Sequence, residues 1–155
     1  MGLDMYLSAE KFISGYDYNK DENFEKILDL MKLDVQDVDR SATLDITVGY
    51  WRKANAIHDW FVKNVQHGTD NCQRAFVSRE QMAELLNSAK IALEHMNSNK
   101  PEEAVKLLPP KSGFFFGSTE MGEGYKADLA DTVRIIERCL GPKFNGWDFY
   151  YQSSW

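Results

Sequence analysis

The segment VGYWRKANAIHDWF, from Val48 to Phe61, concentrates side chains that suit a flat, charged ligand. The aromatic pair Tyr50 and Trp51 is followed directly by Arg52 and Lys53, where a β-branched, alternating stretch gives way to helical spacing. The amino end of a helix presents free N–H groups and positive potential to a phosphate. Cations beside aromatic rings are what a nucleotide needs. These four residues are therefore candidate ligand contacts.

The same segment also fits an ordinary core helix, predicted here from Arg52 to Gln66. Apolar residues at helical spacing give it a core seam, formed by Ala54, Ile57, Phe61 and Val65. On a helical wheel, a second row of side chains lies along the flank of that seam: Trp51, Asn55, His58 and Val62. On this interpretation the tryptophan packs in or beside the core, and His58 is a satisfied histidine at its edge. The residue types leave both interpretations open.

A second candidate segment is LLPPKSGFFFGSTE, from Leu107 to Glu120. A loop with two glycines is predicted around the three consecutive phenylalanines, which in a strand or loop do not all face one core, because alternate side chains point to opposite sides. Either they build a second small apolar layer, or Phe114 and Phe116 form a platform for a ligand. Small neighbours would then let backbone N–H groups approach that ligand: Ser112, Gly113, Gly117, Ser118 and Thr119.

The closing segment DFYYQSSW is predicted to be a strand from Trp147 to Ser153. Alternation places Phe149 with Tyr151 on one face and Tyr150 with Gln152 on the other. Tyr151 is a further candidate ligand contact, although an aromatic strand that closes the sheet is an equally good interpretation. Such a strand is expected to pair with the first strand of the chain.

The sequence gives little support for a catalytic or metal-binding site. The three histidines, His58, His67 and His95, have no spacing typical of a metal site or a phosphodiesterase. Cys72 and Cys139 are far apart, so neither a zinc site nor a disulfide scaffold is expected, and no cofactor is implied. We therefore expect binding groups rather than catalytic ones.

Charge and composition narrow the partners further. The net charge of −6 and the pI near 5.1 oppose binding to nucleic acid, where affinity comes from neutralising phosphates with Lys and Arg. No apolar run reaches the length of a membrane span, and the start MGLDMYLSAEKF lacks a secretory pattern. We expect a protein of the cytoplasm, with no membrane partner and with its two thiols reduced.

The hydrophobic periodicity predicts an α+β fold with one domain over residues 1–155. A small, mostly antiparallel sheet of about four strands is expected to pack with four to five helices. The predicted strands cover 3–12, 43–50, 73–77 and 147–153. The predicted helices cover 23–33, 52–66, a segment beginning with the capping-box signature Ser78–Gln81, 101–108 and 125–140.

The strings MGLDMYL, GYWRKANAIHDWF, SGFFFGSTE and DFYYQSSW resemble a family of small bacteriophage-encoded proteins along nearly the whole chain. That family is similar to viral anti-defence proteins that sequester the cyclic dinucleotide signals of bacterial immunity. The resemblance implies a nucleotide ligand and a place of action in the cytoplasm of the infected cell. It implies stacking and phosphate-binding roles among Tyr50, Trp51, Arg52, Lys53, Asn55 and His58, followed by Ser112, Phe114, Phe116, Ser118 and Thr119.

Three hypotheses follow. The first is a non-enzymatic binder of a cyclic or modified nucleotide. The second is an inhibitor that binds a host protein through aromatic and acidic surface. The third is a nucleotide hydrolase with His58 as general base. The oligomeric state is open in all three.

Overall fold

The computed structural model describes residues 2–155 and has an α+β fold, as predicted. Its elements, in chain order, are β1 (Asp4–Ser14), α1 (Phe24–Met31), β2 (Ser41–Arg52), α2 (Asn55–Asn64), β3 (Ala75–Val77), α3 (Arg79–Asn97), α4 (Pro101–Leu107), α5 (Glu123–Leu140) and β4 (Asp148–Ser154), with short 3₁₀ turns at Val35–Asp37 and Pro142–Phe144.

The four strands form one antiparallel sheet in the order β2-β1-β4-β3. The pairing of the closing strand with the first strand is confirmed, with Leu7 opposite Tyr151. Between β1 and β2 the register shifts after Leu7, so that Val48 is an extra residue on β2. Such a bulge increases the local twist and re-aims the residues that follow it. Here those residues are Tyr50, Trp51 and Arg52.

One face of the sheet carries the main core. Met5 and Leu7 of β1, with Phe149 and Tyr151 of β4, are buried on this side, and Leu3, just before β1, belongs to the same core. The helices α3 and α5 pack against each other, and both contribute buried residues to the same core. A smaller cluster of Ile13, Phe24 and Leu28 lies at the far end of β1 beneath α1. The alternate side chains point away from both clusters and are largely exposed.

The predicted helix from Arg52 to Gln66 was wrong at its start. Trp51 pairs with Met5 and Arg52 with Asp4, so both residues belong to β2. The helix begins only at Asn55, after Lys53 has taken a left-handed backbone conformation with φ of 59°. The helix starts late because β2, the edge strand, stays paired with β1 as far as Arg52. Backbone hydrogen bonds to β1 extend the strand beyond the point where helical spacing begins in the sequence.

Other local predictions agree more closely with the structure. Ser78 and Gln81 form the predicted capping box, with Oγ accepting from the Gln81 N–H at 3.0 Å and Oε1 accepting from the Ser78 N–H at 2.9 Å. The three phenylalanines lie in a loop and not in a strand. Cys72 and Cys139 are free thiols.

In the described part of the chain, no helix is both long and apolar enough to cross a membrane. Nor do residues 2–155 include a group of three or more His, Cys, Asp or Glu side chains placed to hold a metal ion.

Candidate functional site

The turn between β2 and α2 places two cations at the surface. The Lys53 N–H donates to the Leu3 carbonyl at 2.8 Å, and the Asn55 N–H donates to the Lys53 carbonyl at 2.9 Å. These bonds hold Lys53 in the left-handed region, which costs a residue with a Cβ about 1–2 kcal/mol. Both Arg52 and Lys53 have exposed side chains. A strained, well-fixed backbone thus presents two adjacent positive charges.

Asn55 attaches a distant loop to this turn. Its Nδ2 donates to the carbonyls of Phe116 at 3.0 Å and Ser118 at 2.8 Å, while its Oδ1 accepts from the Lys111 N–H at 2.9 Å. Only 5% of Asn55 is exposed, so these bonds are made away from solvent. Asn55 therefore has a structural role, as the anchor of residues 111–118. These three bonds engage both polar atoms of the Asn55 side chain, Nδ2 and Oδ1. The predicted contact between Asn55 and a ligand therefore has no free polar atom to support it.

Trp51 anchors α5 in a similar way. Its indole N–H donates to Thr132 Oγ1 at 3.0 Å, and that hydroxyl donates to the Asp128 carbonyl at 2.7 Å. The ring is only 3% exposed and is tilted against Phe61. The core surrounds this ring, so the predicted role of Trp51 as a stacking surface has no exposed ring face to support it. Its indole fixes the middle of α5 relative to β2.

A cavity of about 320 Å³, termed the turn cavity, lies between the elements that these anchors hold together. Its lining comes from the β2–α2 turn, the end of the 111–118 loop and the amino end of α5, and includes Arg52, Lys53, Asn55, Ala56, Pro110, Ser118, Glu120, Gly122, Glu123, Gly124, Tyr125 and Asp128. No side chain caps the amino end of α5 at Gly122. The first N–H groups of a helix have no partner within it. Uncapped N–H groups and two cations thus border one cavity.

Two ionisable groups in the turn cavity have shifted pKa values. Burial, reinforced by the negative charge of Asp131, raises the pKa of Asp128 from 3.8 to about 6. Burial alone raises the pKa of Tyr125 to about 12, and its hydroxyl donates to the Leu108 carbonyl at 2.8 Å. Asp128 is therefore the group in this cavity whose charge changes closest to neutral pH. A carboxylate that is costly to ionise becomes easier to ionise once a cation or a donor is bound.

A second cavity of about 300 Å³, termed the histidine cavity, also borders the 111–118 loop. His58 lies in its wall and is only 1% exposed. The His58 Nε2 is 3.0 Å from Asp70 Oδ2, and Nδ1 is 2.8 Å from the Tyr151 hydroxyl. Because an ionised carboxylate can only accept, Nε2 carries the hydrogen, and in the neutral ring Nδ1 then accepts from Tyr151. Burial raises the pKa of Tyr151 well above its usual value, so its hydroxyl keeps the proton that it can donate.

The other charges of the histidine cavity are also paired. Asp59 accepts from Lys63 at 2.5 Å, and its second oxygen is 3.7 Å from Lys111 Nζ. Asp70 accepts in addition from the indole of Trp155 at 3.0 Å. The Phe116 ring meets His58 edge-on, with 5.0 Å between the ring centroids. The polar groups of this cavity are thus largely satisfied by one another.

The structure divides the predicted ligand residues into groups. The turn cavity brings together Arg52, Lys53, Asn55 and Ser118. The histidine cavity includes His58 and Phe116. The remaining predicted residues line neither cavity: Tyr50, Trp51, Ser112, Phe114, Thr119 and Tyr151. His58 is buried in the wall of the histidine cavity, whereas Tyr151 and Trp51 are buried in the core; direct ligand contact by these three residues stays a prediction.

Four predicted contacts lie at the surface but away from the cavities. Tyr50 stands on the outer face of the sheet, where its hydroxyl donates to Asp4 at 2.5 Å. Phe114 is 96% exposed at the tip of the loop, and Ser112 and Thr119 are exposed on either side of it. The phenylalanine platform predicted from Phe114 and Phe116 is therefore not assembled, because one ring points to solvent and the other packs on His58.

Sequence reasoning missed the contribution of α5 to the turn cavity. The segment MGEGY, from Met121 to Tyr125, contains the signal: two glycines around the start of a helix, with open space where their Cβ atoms would lie. Asp128 carried no comparable signal, since its importance depends on the burial that the fold imposes. Its proximity to Arg52 follows from the long-range packing of α5 on β2.

No protein-family model, curated protein sequence or solved structure matches this chain.

Proposed function

We propose that the protein binds a small phosphate-bearing ligand of the nucleotide class in the turn cavity and sequesters it without turnover. One observation carries the proposal: Arg52, Lys53 and the uncapped amino end of α5 border the same cavity. Hydrogen bonds between charged partners contribute about 1.5–3 kcal/mol each. A phosphate that engages both cations would therefore be bound in preference to a neutral ligand.

The carboxylates of the turn cavity favour a nucleotide over a bare inorganic anion. Glu120, Glu123 and Asp128 would repel a phosphate placed against them, but carboxylates accept hydrogen bonds from ribose hydroxyls and base amino groups. The volume lies at the lower end of the range of about 300–1,000 Å³ for ligand cavities. A cyclic dinucleotide would accordingly place one of its nucleotides in the cavity and the other across the rim.

The resemblance to small phage proteins supplies the biological setting of the proposal. A phage protein that holds a nucleotide immune signal in the cytoplasm of the infected cell would blunt host defence by lowering the free concentration of that signal. Such a protein needs tight binding and abundance rather than a catalytic group. The exposed cations of the turn cavity are consistent with that requirement.

A hydrolase that uses His58 as general base receives less support. Both ring nitrogens of His58 are engaged, by Asp70 and Tyr151, and the ring is buried. A general base must reach the proton that it removes, directly or through one water. For His58 this would require the Asp70 contact to break.

The first test mixes purified protein with a panel of cyclic di- and trinucleotides and linear nucleotides. Retained ligand is released by heat after filtration and read by mass spectrometry. We expect intact nucleotide with the wild-type protein, and at least about tenfold weaker binding for Arg52→Ala, because one charge-assisted bond is lost. Arg40→Ala is the matched control, since Arg40 is exposed and its ion-pair partner is Asp17, 3.7 Å away and outside both cavities.

Each other outcome is decisive. Equal loss in Arg52→Ala and Arg40→Ala would assign binding to general charge rather than to the turn cavity. Recovery of a nucleotide with a changed mass would make the protein an enzyme. If every nucleotide passes through the filter, the proposed function is wrong.

A further inference from the structure

The outer face of the sheet forms a surface separate from both cavities. Residues opposite one another in an antiparallel sheet share a face. The register therefore groups Tyr6 with Tyr50, and Tyr150 with Phe76, on the side away from the helices. The two aromatic pairs have centroid separations of 5.4 and 5.8 Å. Tyr6, Tyr50 and Phe76 are 39%, 47% and 53% exposed. A single sheet thus presents aromatic rings to solvent.

This face is also acidic. The register places the carboxylates of Asp4, Glu10, Asp45 and Asp148 on it. Arg52 lies opposite Asp4 at one margin, and the side chain of Arg74 reaches across from the segment that leads into β3. Acidic groups outnumber basic ones among these residues, in agreement with the net charge of −6. A positively charged partner would be attracted to this face before contact.

The position of Arg74 shows which cation the face accommodates. Its guanidinium carbon is 3.8 Å from the centroid of the Tyr150 ring. The same group donates to Glu10 and to Asp45, at 2.9 Å each. One ring and carboxylates from two neighbouring strands thus surround one guanidinium. A planar guanidinium stacks on an aromatic face and bonds carboxylates at once, whereas an ammonium group does not match this geometry as well.

We propose that the outer face of the sheet docks an arginine-bearing basic segment of a partner protein, and that Arg74 occupies the guanidinium position in the absence of that partner. An incoming arginine would take the place over Tyr150 and pair with Glu10 and Asp45. The aromatic pairs on either side would cover the rest of the segment. Because Tyr150, Glu10 and Asp45 line neither cavity, the inference stands or falls independently of the nucleotide proposal.

The test uses titration calorimetry with N-acetyl-pentaarginine amide and N-acetyl-pentalysine amide at low salt. We expect the wild-type protein to prefer the arginine peptide. We expect Arg74→Ala to bind that peptide about fivefold more tightly, because one internal cation–π contact no longer competes. Arg134→Ala is the matched control, since it removes the same charge from α5, where Arg134 pairs with Asp131. It should bind both peptides with an affinity within twofold of wild type.

A second variant makes the test independent of Arg74. Asp45→Asn changes an exposed position on the edge strand, and we expect about fivefold weaker binding of the arginine peptide, in line with the loss of one charged hydrogen-bond partner. Equal effects of Arg74→Ala and Arg134→Ala would reduce the interaction to net charge and overturn the proposal. So would equal affinity for the two peptides, or no binding at all. Dimerisation of Arg74→Ala in sedimentation without peptide binding would assign the face to a second copy of the chain instead.

Discussion

The turn cavity and the histidine cavity border the same loop and are of similar size, yet their polar groups are used differently. In the histidine cavity, His58, Asp70 and Tyr151 bond one another, and Asp59 is paired with two lysines. In the turn cavity, Arg52 and Lys53 are exposed, and the end of α5 is uncapped. Groups that satisfy one another stabilise the fold, whereas charged groups left open to solvent can still bind a ligand. Variants of each cavity should therefore separate stability from binding.

The largest effect on stability is expected for Asn55→Ala, at the boundary between the cavities. The change removes three half-buried hydrogen bonds, each contributing about 1 kcal/mol, so we expect the free energy of unfolding to fall by about 3 kcal/mol. Ligand binding in the turn cavity should be lost as well, because the 111–118 loop is no longer held. Urea unfolding measures the first effect, and nucleotide filtration the second.

Asn64→Ala is the control for this variant. Asn64 lies on the same helix, and its side chain makes one exposed hydrogen bond, to the Trp60 carbonyl at 2.8 Å. Its replacement should cost less than about 1 kcal/mol. Similar losses for both variants would show that the loop does not depend on Asn55.

Tyr151→Phe should weaken the fold and leave binding intact. The ring stacks on Phe61 with 3.9 Å between centroids, and phenylalanine retains that contact. The hydroxyl bond to His58 is lost, and a buried acceptor left without its donor costs about 2 kcal/mol. We expect this loss in urea unfolding, with nucleotide affinity within twofold of wild type. A large fall in affinity would place the ligand in the histidine cavity and reverse the assignment of the two cavities.

The pKa of Asp128 gives the turn cavity a pH dependence. Because the folded pKa, about 6, lies above the unfolded value of 3.8, the folded state holds the proton more tightly. The stability that protonation contributes is fully present below about pH 3.8 and is lost as the pH rises through about 6. Asp128→Asn should therefore stabilise the protein at pH 7, by about 1 kcal/mol after allowance for solvent screening. At pH 4 the advantage should be much smaller.

Urea unfolding of wild type and Asp128→Asn from pH 4 to pH 8 measures this difference. Asp131→Asn is a useful comparison, since Asp131 is exposed and its charge is the smaller cause of the shift. An advantage of Asp128→Asn that does not change with pH would show that the carboxyl is not desolvated as described.

The sequence predicted the elements better than it predicted the site, for a physical reason. Local patterns set the capping box at Ser78, the helix from Pro101 and the strand from Asp148, and these predictions were close. The surroundings of Trp51 depend instead on pairing with β1 and on Thr132, far along the chain. Helical spacing continued through Trp51 in the sequence, but strand pairing determined its conformation. Burial of His58 likewise depends on Tyr151, which only the folded sheet brings near it.

The smallest effect on stability is expected for Lys53→Gly, which tests the turn cavity without disturbing the fold. Glycine relieves a left-handed backbone that costs about 1–2 kcal/mol, but it also loses about 0.5–1 kcal/mol through the greater freedom of the unfolded chain. These effects nearly offset, so the free energy of unfolding should change by less than about 1 kcal/mol. Nucleotide affinity should fall about tenfold, since one charge-assisted contact to the phosphate is removed. Lys143→Gly, at an exposed position in the 3₁₀ turn Pro142–Phe144, should leave affinity unchanged. Unchanged affinity in Lys53→Gly would contradict a phosphate position at this turn, and the contrast between the two cavities would then rest on Arg52 alone.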